Sequence, residues 1–136
     1  SGVSAMAQRN PERLAAFRAQ LADGAFMVDP DLFEAWSDDP AIQDWLRMKC
    51  TPHPIRCLTE GVTLTGREAG VRHRHYILAA RNRPSMFWQE YERVRTLDDW
   101  TTETMATKHD AMIEAPDDLA ARLERMIGEV NKMADC

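Results

Sequence analysis

The chain has 136 residues, 44% of them hydrophobic and 29% charged, enough for one modest domain and too apolar for wholesale disorder. Its net charge of −5 argues against nucleic acid or an anionic membrane as a partner, because phosphate binding needs a basic face. No apolar run approaches the length of a bilayer-crossing helix.

Cys50, Cys57 and Cys136 follow no metal spacing and cannot all pair internally. That suits a reducing compartment, and a cytoplasmic location is expected. The start, Ser1-Gly2-Val3-Ser4-Ala5-Met6, lacks the basic opening and long apolar core of a secretory signal and does not read as a natural initiation site.

Asn10-Pro11-Glu12 opens the first helix. Asn caps free amides, and Pro fits the first turn, where its missing donor would be unpaired anyway. Leu14, Phe17 and Leu21 recur at helical spacing, and Gly24 closes the segment. Asp29-Pro30 starts a short helix carrying Leu32, Phe33 and Trp36. Asp39-Pro40 starts another, with Ile42, Trp45, Leu46 and Met48, and Thr51-Pro52 a fourth, running to about Thr59. These repeated starts describe a compact cluster of short helices.

The texture changes at Gly61. Val62-Thr63-Leu64-Thr65 is β-prone but brief. Arg74 to Ala80 ends in a continuous apolar run, which suits a strand buried on both faces in a parallel sheet. Pro84 breaks it, and Phe87, Tyr91, Val94 and Leu97 mark a helix. Trp100 to Thr107 alternates and is rich in threonine, as a second strand would be. Pro116-Asp117-Asp118 starts a last helix with Leu119, Leu123, Met126 and Ile127 on one face. Its tail from Asn131 is expected to fray.

Strand–helix–strand–helix order implies an α/β class with a parallel sheet. Two parallel strands alone lack the neighbours such a sheet needs, so this half reads as the closing edge of a larger one.

His109 lies just past the second strand, and ligands of open α/β sheets sit beyond the carboxyl ends of strands. From the residues, two readings stand: a general base, or a surface-loop histidine bonded to backbone. Asp110 is expected to cap the turn. Met112 is expected to pack under the loop, where it joins Trp36 and Trp45 as a candidate wall of a substrate pocket. Asn82, between Arg81 and Arg83, occupies the turn after the first strand without a carboxylate. Ser4 lies in half of a G-x-S-x-G elbow, with Met6 where the final glycine belongs and no strand before it. Ser37 and Ser85 read as turn or helix-start residues, and Cys50 and Cys57 as packing cysteines. His53, His73 and His75 form no metal set; His73 and His75 are expected in solvent. No metal or cofactor is expected.

Tyr76-Ile77-Leu78, Pro84-Ser85-x-Phe87-x-Gln89, Trp100 and His109-Asp110-Ala111-Met112-x-x-x-Pro116-x-x-Leu119-Ala120, in that order, resemble the carboxyl-terminal part of α/β-hydrolases. The likeness is to bacterial members of the branch that includes plant methyl esterases and hydroxynitrile lyases, and it runs from about Asn10 to Ile127. There a G-H-D-x-M or G-D-H-x-M loop presents the catalytic histidine; here Lys108 replaces the glycine. The resemblance implies that residues 1–60 are a helical cap or lid, with Thr51-Pro52-His53-Pro54 in it. It implies that residues 61–136 carry the last two parallel strands, the family's seventh and eighth, and their helices. His109 would be the triad histidine of a serine hydrolase acting on a small apolar ester or acyl substrate. An amino-terminal hydrolase segment with the nucleophile elbow would be its partner, and the triad acid would come from upstream of Ser1. The alternative is a non-catalytic helical interaction or ligand-binding protein that forms a homo-oligomer through its sheet edge.

Overall fold

The computed structural model describes residues 10–31, 33–63 and 65–134; the half elbow at Ser4, together with Leu32, Leu64 and Cys136, falls outside them. The elements in chain order are α1 (Pro11–Ala22), β1 (Met27–Val28), α2 (Phe33–Trp36), α3 (Pro40–Lys49), β2 (His53–Pro54) and α4 (Ile55–Thr59). A 3-10 turn (Arg67–Gly70) follows, then β3 (Arg74–Ala79), α5 (Met86–Val94), β4 (Trp100–Met105), α6 (Ala111–Glu114) and α7 (Pro116–Ala134). Contacts divide the chain into two compact units: residues up to 31 with 46–71, and residues 32–45 with 72 onward.

In the first unit, Asn10 Oδ1 accepts from Arg13 N at 3.0 Å, capping α1 as its side-chain chemistry dictates. The helix stops at Gly24, whose φ of +90° is a left-handed conformation that glycine adopts without steric cost. Leu14 and Phe17 are buried, and α1 packs against α4, where Ile55 and Thr59 are buried. Met27↔Pro54 and Val28↔His53 form a short antiparallel pair, so His53-Pro54 is extended and α4 starts only at Ile55. Val62, Thr63 and Thr65 lie in no strand, which overturns the expectation there; flanking Gly61 and Gly66 favour a loop. Cys50 is half-buried and Cys57 exposed, so Cys57 is no packing residue.

The second unit is a β–α–β–α run. β3 and β4 pair in parallel over Arg74↔Trp100 to Ala79↔Met105, with α5 between them in sequence and packed on both. This establishes mixed helix and sheet with one parallel pair. Ser85 Oγ accepts from Phe87 N at 3.2 Å and starts α5. Leu78, Val94 and Met105 are its fully buried hydrophobic residues. The apolar run of β3 was expected to be buried on both faces, but only Leu78 is; a two-strand sheet covers too little of its own faces. α7 continues to Ala134, past the expected fraying point. No described helix is long and apolar enough to cross a membrane.

α3 begins where Asp39 Oδ1 accepts from Ala41 N at 2.8 Å. Of its apolar residues Leu46 is buried, whereas Trp45 and Met48 are exposed.

Candidate functional site

The parallel pairing continues past the strands. Ala80 N donates to Met105 O at 2.8 Å and Arg81 N to Thr107 O at 2.9 Å. The chain therefore leaves β4 at the carboxyl end of the sheet, and His109 follows four residues after the strand and two after Thr107. Its ring lies nearly flat against Phe87, with centroids 5.1 Å apart and planes inclined by 14°. Phe87 is at hand because Ser85 caps α5 immediately after the turn that ends β3. The imidazole is half-buried and makes no hydrogen bond among the described residues.

The loop is clasped on its other side. Glu114, at the end of α6, accepts from Lys108 N through Oε2 at 2.6 Å and from Ser37 Oγ through Oε1 at 2.8 Å. Ser37 is fully buried and also accepts from Asp39 N at 3.1 Å. The Lys108 ammonium donates to Glu34 O at 2.9 Å and pairs with Asp38 at 2.8 Å. Asp38 pairs with Arg81 as well. The segment 34–39 is thereby bonded to the turns after both strands. The hydrogen bond from Lys108 holds the Asp38 carboxyl below its usual range, and Arg81 adds to this.

Asp110 does not cap α6 with its side chain as expected. Its carbonyl instead accepts from Ile113 N and Glu114 N at 2.9 and 3.0 Å. Burial pushes its carboxyl above the usual range; His109 opposes this and Glu114 reinforces it.

Of the expected pocket wall, Trp36 joins the histidine loop: its carbonyl is 3.5 Å from Asp110 N, and its ring meets Phe33 edge-on at 5.1 Å. Trp45, on α3, is 45% exposed, and no ring contact or hydrogen bond ties its side chain to His109 among the described residues. Met112 does not pack under the loop; it is 58% exposed, because the single turn of α6 directs the half-buried Ile113 and Glu114 inward instead. Asn82 is buried, with Nδ2 3.4 Å from Ser85 Oγ. Thr107 Oγ1 is buried without a partner among the described residues.

At the opposite, amino ends of the strands lies a cleft of about 420 Å³, walled by Leu123, Met126, Ile127 and Val130 of α7 and rimmed by Arg72 and Asp98. Nearby, His75 is not in solvent as expected but half-buried, its Nε2 3.0 Å from Glu103 Oε1. Glu103 also binds Arg122 and Arg125 at 2.6 and 2.8 Å. Burial works to raise the Glu103 carboxyl, but the hydrogen bond from His75 and the charges of both arginines outweigh it and hold the group low. These are structural contacts across β3, β4 and α7. No group of three histidine, cysteine or acidic residues among the described residues is placed to hold a metal.

Sequence reasoning missed Ser37 and Glu114 as partners and the Lys108 side chain as a fastener. Ser37 and Glu114 are 77 positions apart, so no local pattern could have joined them. No family model matches the chain, and comparison with curated proteins and with solved structures finds no match.

Proposed function

We propose that the chain is the lid and carboxyl-terminal portion of an α/β-hydrolase and supplies the histidine of a serine hydrolase. One observation carries this reading. A half-buried imidazole, stacked on Phe87 and without a hydrogen-bond partner among the described residues, sits beyond the carboxyl end of the second strand of a parallel pair. An imidazole at that place can serve as a general base and then as a general acid.

The nucleophile would come from an amino-terminal hydrolase segment with a G-x-S-x-G elbow. His109 takes the serine proton as the serine oxygen attacks the carbonyl carbon of a small apolar ester. The tetrahedral intermediate collapses, the alcohol leaves with the proton from the imidazolium, and water releases the acid by the same steps reversed in role. The turn from Ala80 to Ser85 after β3 carries no carboxylate and holds the buried Asn82 instead, so in this reading the partner segment also supplies the orienting acid. Trp36, whose carbonyl meets Asp110 N, would wall the apolar pocket together with Trp45 and Met112. The open edges of a two-strand sheet support a second reading, in which another copy of the chain pairs there and His109 is structural.

The test is to isolate the chain from its native extract, identify whether an elbow-bearing segment accompanies it, and treat the assembly with a serine-directed phosphonate. Under this proposal the serine labels, and His109→Ala slows labelling by at least about a thousandfold. A homodimer without any such segment, or equal labelling with and without His109, refutes it.

A further inference from the structure

The contacts around the loop assign a role to a residue that the proposed chemistry does not itself use. We propose that Glu114 is the positioning residue of His109. The inference rests on the reading of His109 as the base for its functional meaning, though not for its geometry.

Four observations converge. Both carboxylate oxygens of Glu114 are engaged: one takes the backbone N–H of Lys108, the residue before His109, at 2.6 Å, and the other takes Ser37 Oγ of the 34–39 segment at 2.8 Å. Both bonds are charge-assisted, the strong kind. Ser37 is wholly buried, and its Oγ in turn receives Asp39 N at 3.1 Å, so this anchor cannot drift without unpairing a backbone amide. Gln43 Nε2 holds the Ser37 carbonyl at 2.9 Å, tying the same point to α3. The imidazole stacks on Phe87 and makes no hydrogen bond among the described residues, so the backbone that carries it does most to set its direction. Ser37 is spoken for as a donor to Glu114, which removes it as a nucleophile for His109. Its buried hydroxyl is an anchor.

The Lys108 side chain is a rival for the same role through its bonds to Asp38 and Glu34. The two are separable, because Glu114 grips the Lys108 backbone and Asp38 grips its ammonium. Glu114→Ala should therefore disturb His109, whereas Lys108→Ala, which keeps the amide, should leave it in place.

The experiment is NMR on the chain as it stands. In Glu114→Ala, the Lys108 amide is expected to exchange roughly tenfold to a hundredfold faster, as loss of a bond to a charged group implies. The His109 ring protons are expected to leave the shielded position that the Phe87 face imposes, while the methyl signals of Leu78 and Val94 stay in place. Lys108→Ala should leave the ring protons where they are. Should Glu114→Ala fail to fold, Glu114→Gln, which replaces the bond to a charged group by a neutral one, decides by the same signals: the Lys108 amide is expected to exchange roughly threefold to tenfold faster, with the His109 ring protons shifted in the same direction as expected for the alanine variant. Ring signals indifferent to Glu114, or moved more by Lys108→Ala than by Glu114→Ala, overturn the proposal. If the ring moves as expected but no serine partner exists, the positioning stands and the hydrolase reading fails.

Discussion

Removing one oxygen atom, in Ser37→Ala, should cost more than its surface-loop sequence context suggests. The hydroxyl is fully buried and serves two partners: it donates to the Glu114 carboxylate at 2.8 Å and accepts from Asp39 N at 3.1 Å. A hydrogen bond to a charged group contributes roughly 1.5–3 kcal/mol, and a neutral one about 0.5–1.5 kcal/mol. Glu114 keeps its bond to Lys108 N, and water can reach part of this half-buried carboxylate, which argues for the lower half of the combined range. The expected loss is about 2–3 kcal/mol, a large share of the 5–15 kcal/mol typical of a folded domain. With a urea slope of about 1–3 kcal/mol per molar, the unfolding midpoint should fall by roughly 1 M with the slope unchanged. The assay is equilibrium urea unfolding followed by tryptophan fluorescence. A midpoint shift worth less than about 0.5 kcal/mol, the size of an ordinary surface substitution, would mean that the hydroxyl is not the anchor described.

Leu78→Ala, at a position 1% exposed near the carboxyl end of the parallel pair, should destabilise by about 2–5 kcal/mol in the same assay. Acid should destabilise the second unit through Asp38 and Glu103. Both have folded values below the ordinary 3.8 and 4.5, so their stabilisation is present above those values and lost as pH falls through the lowered ones. Melting temperature followed downward from pH 6 should drop, and Glu103→Gln should flatten the drop. Asp110 has the opposite sign: its raised folded value means that its contribution is complete below 3.8 and lost as pH rises through the folded value. Asp110→Asn should therefore gain stability at pH 7 relative to pH 3, and equal gains at both pH values would contradict the burial argument. In a Cys136→Ser background, a thiol reagent should modify the exposed Cys57 faster than the half-buried Cys50. The reverse order would place the α4 surface wrongly.

What sequence alone determined was local. Asn10, Asp39 and Ser85 cap their helices because a short polar side chain reaches an amide two or three residues on, whatever the rest of the chain does. The apolar run at Tyr76–Ala80 and the alternation from Trp100 were enough to forecast two strands and, with a helix between them, their parallel pairing. The position of His109 past the carboxyl end of β4 followed from that order. Tertiary structure decided everything that depends on partners distant in sequence. His53-Pro54 is extended because Met27–Val28 lies beside it. His75 is half-buried because Glu103 stands across the sheet, drawn there with Arg122 and Arg125 from α7. Lys108 reads in the sequence as an ordinary loop residue beside His109 and Glu114 as one more acid near a helix start. Only folding brings Ser37 and Asp38 against them, since hydrogen bonds and ion pairs select by distance in space, and the chain can spend that distance on any number of intervening residues.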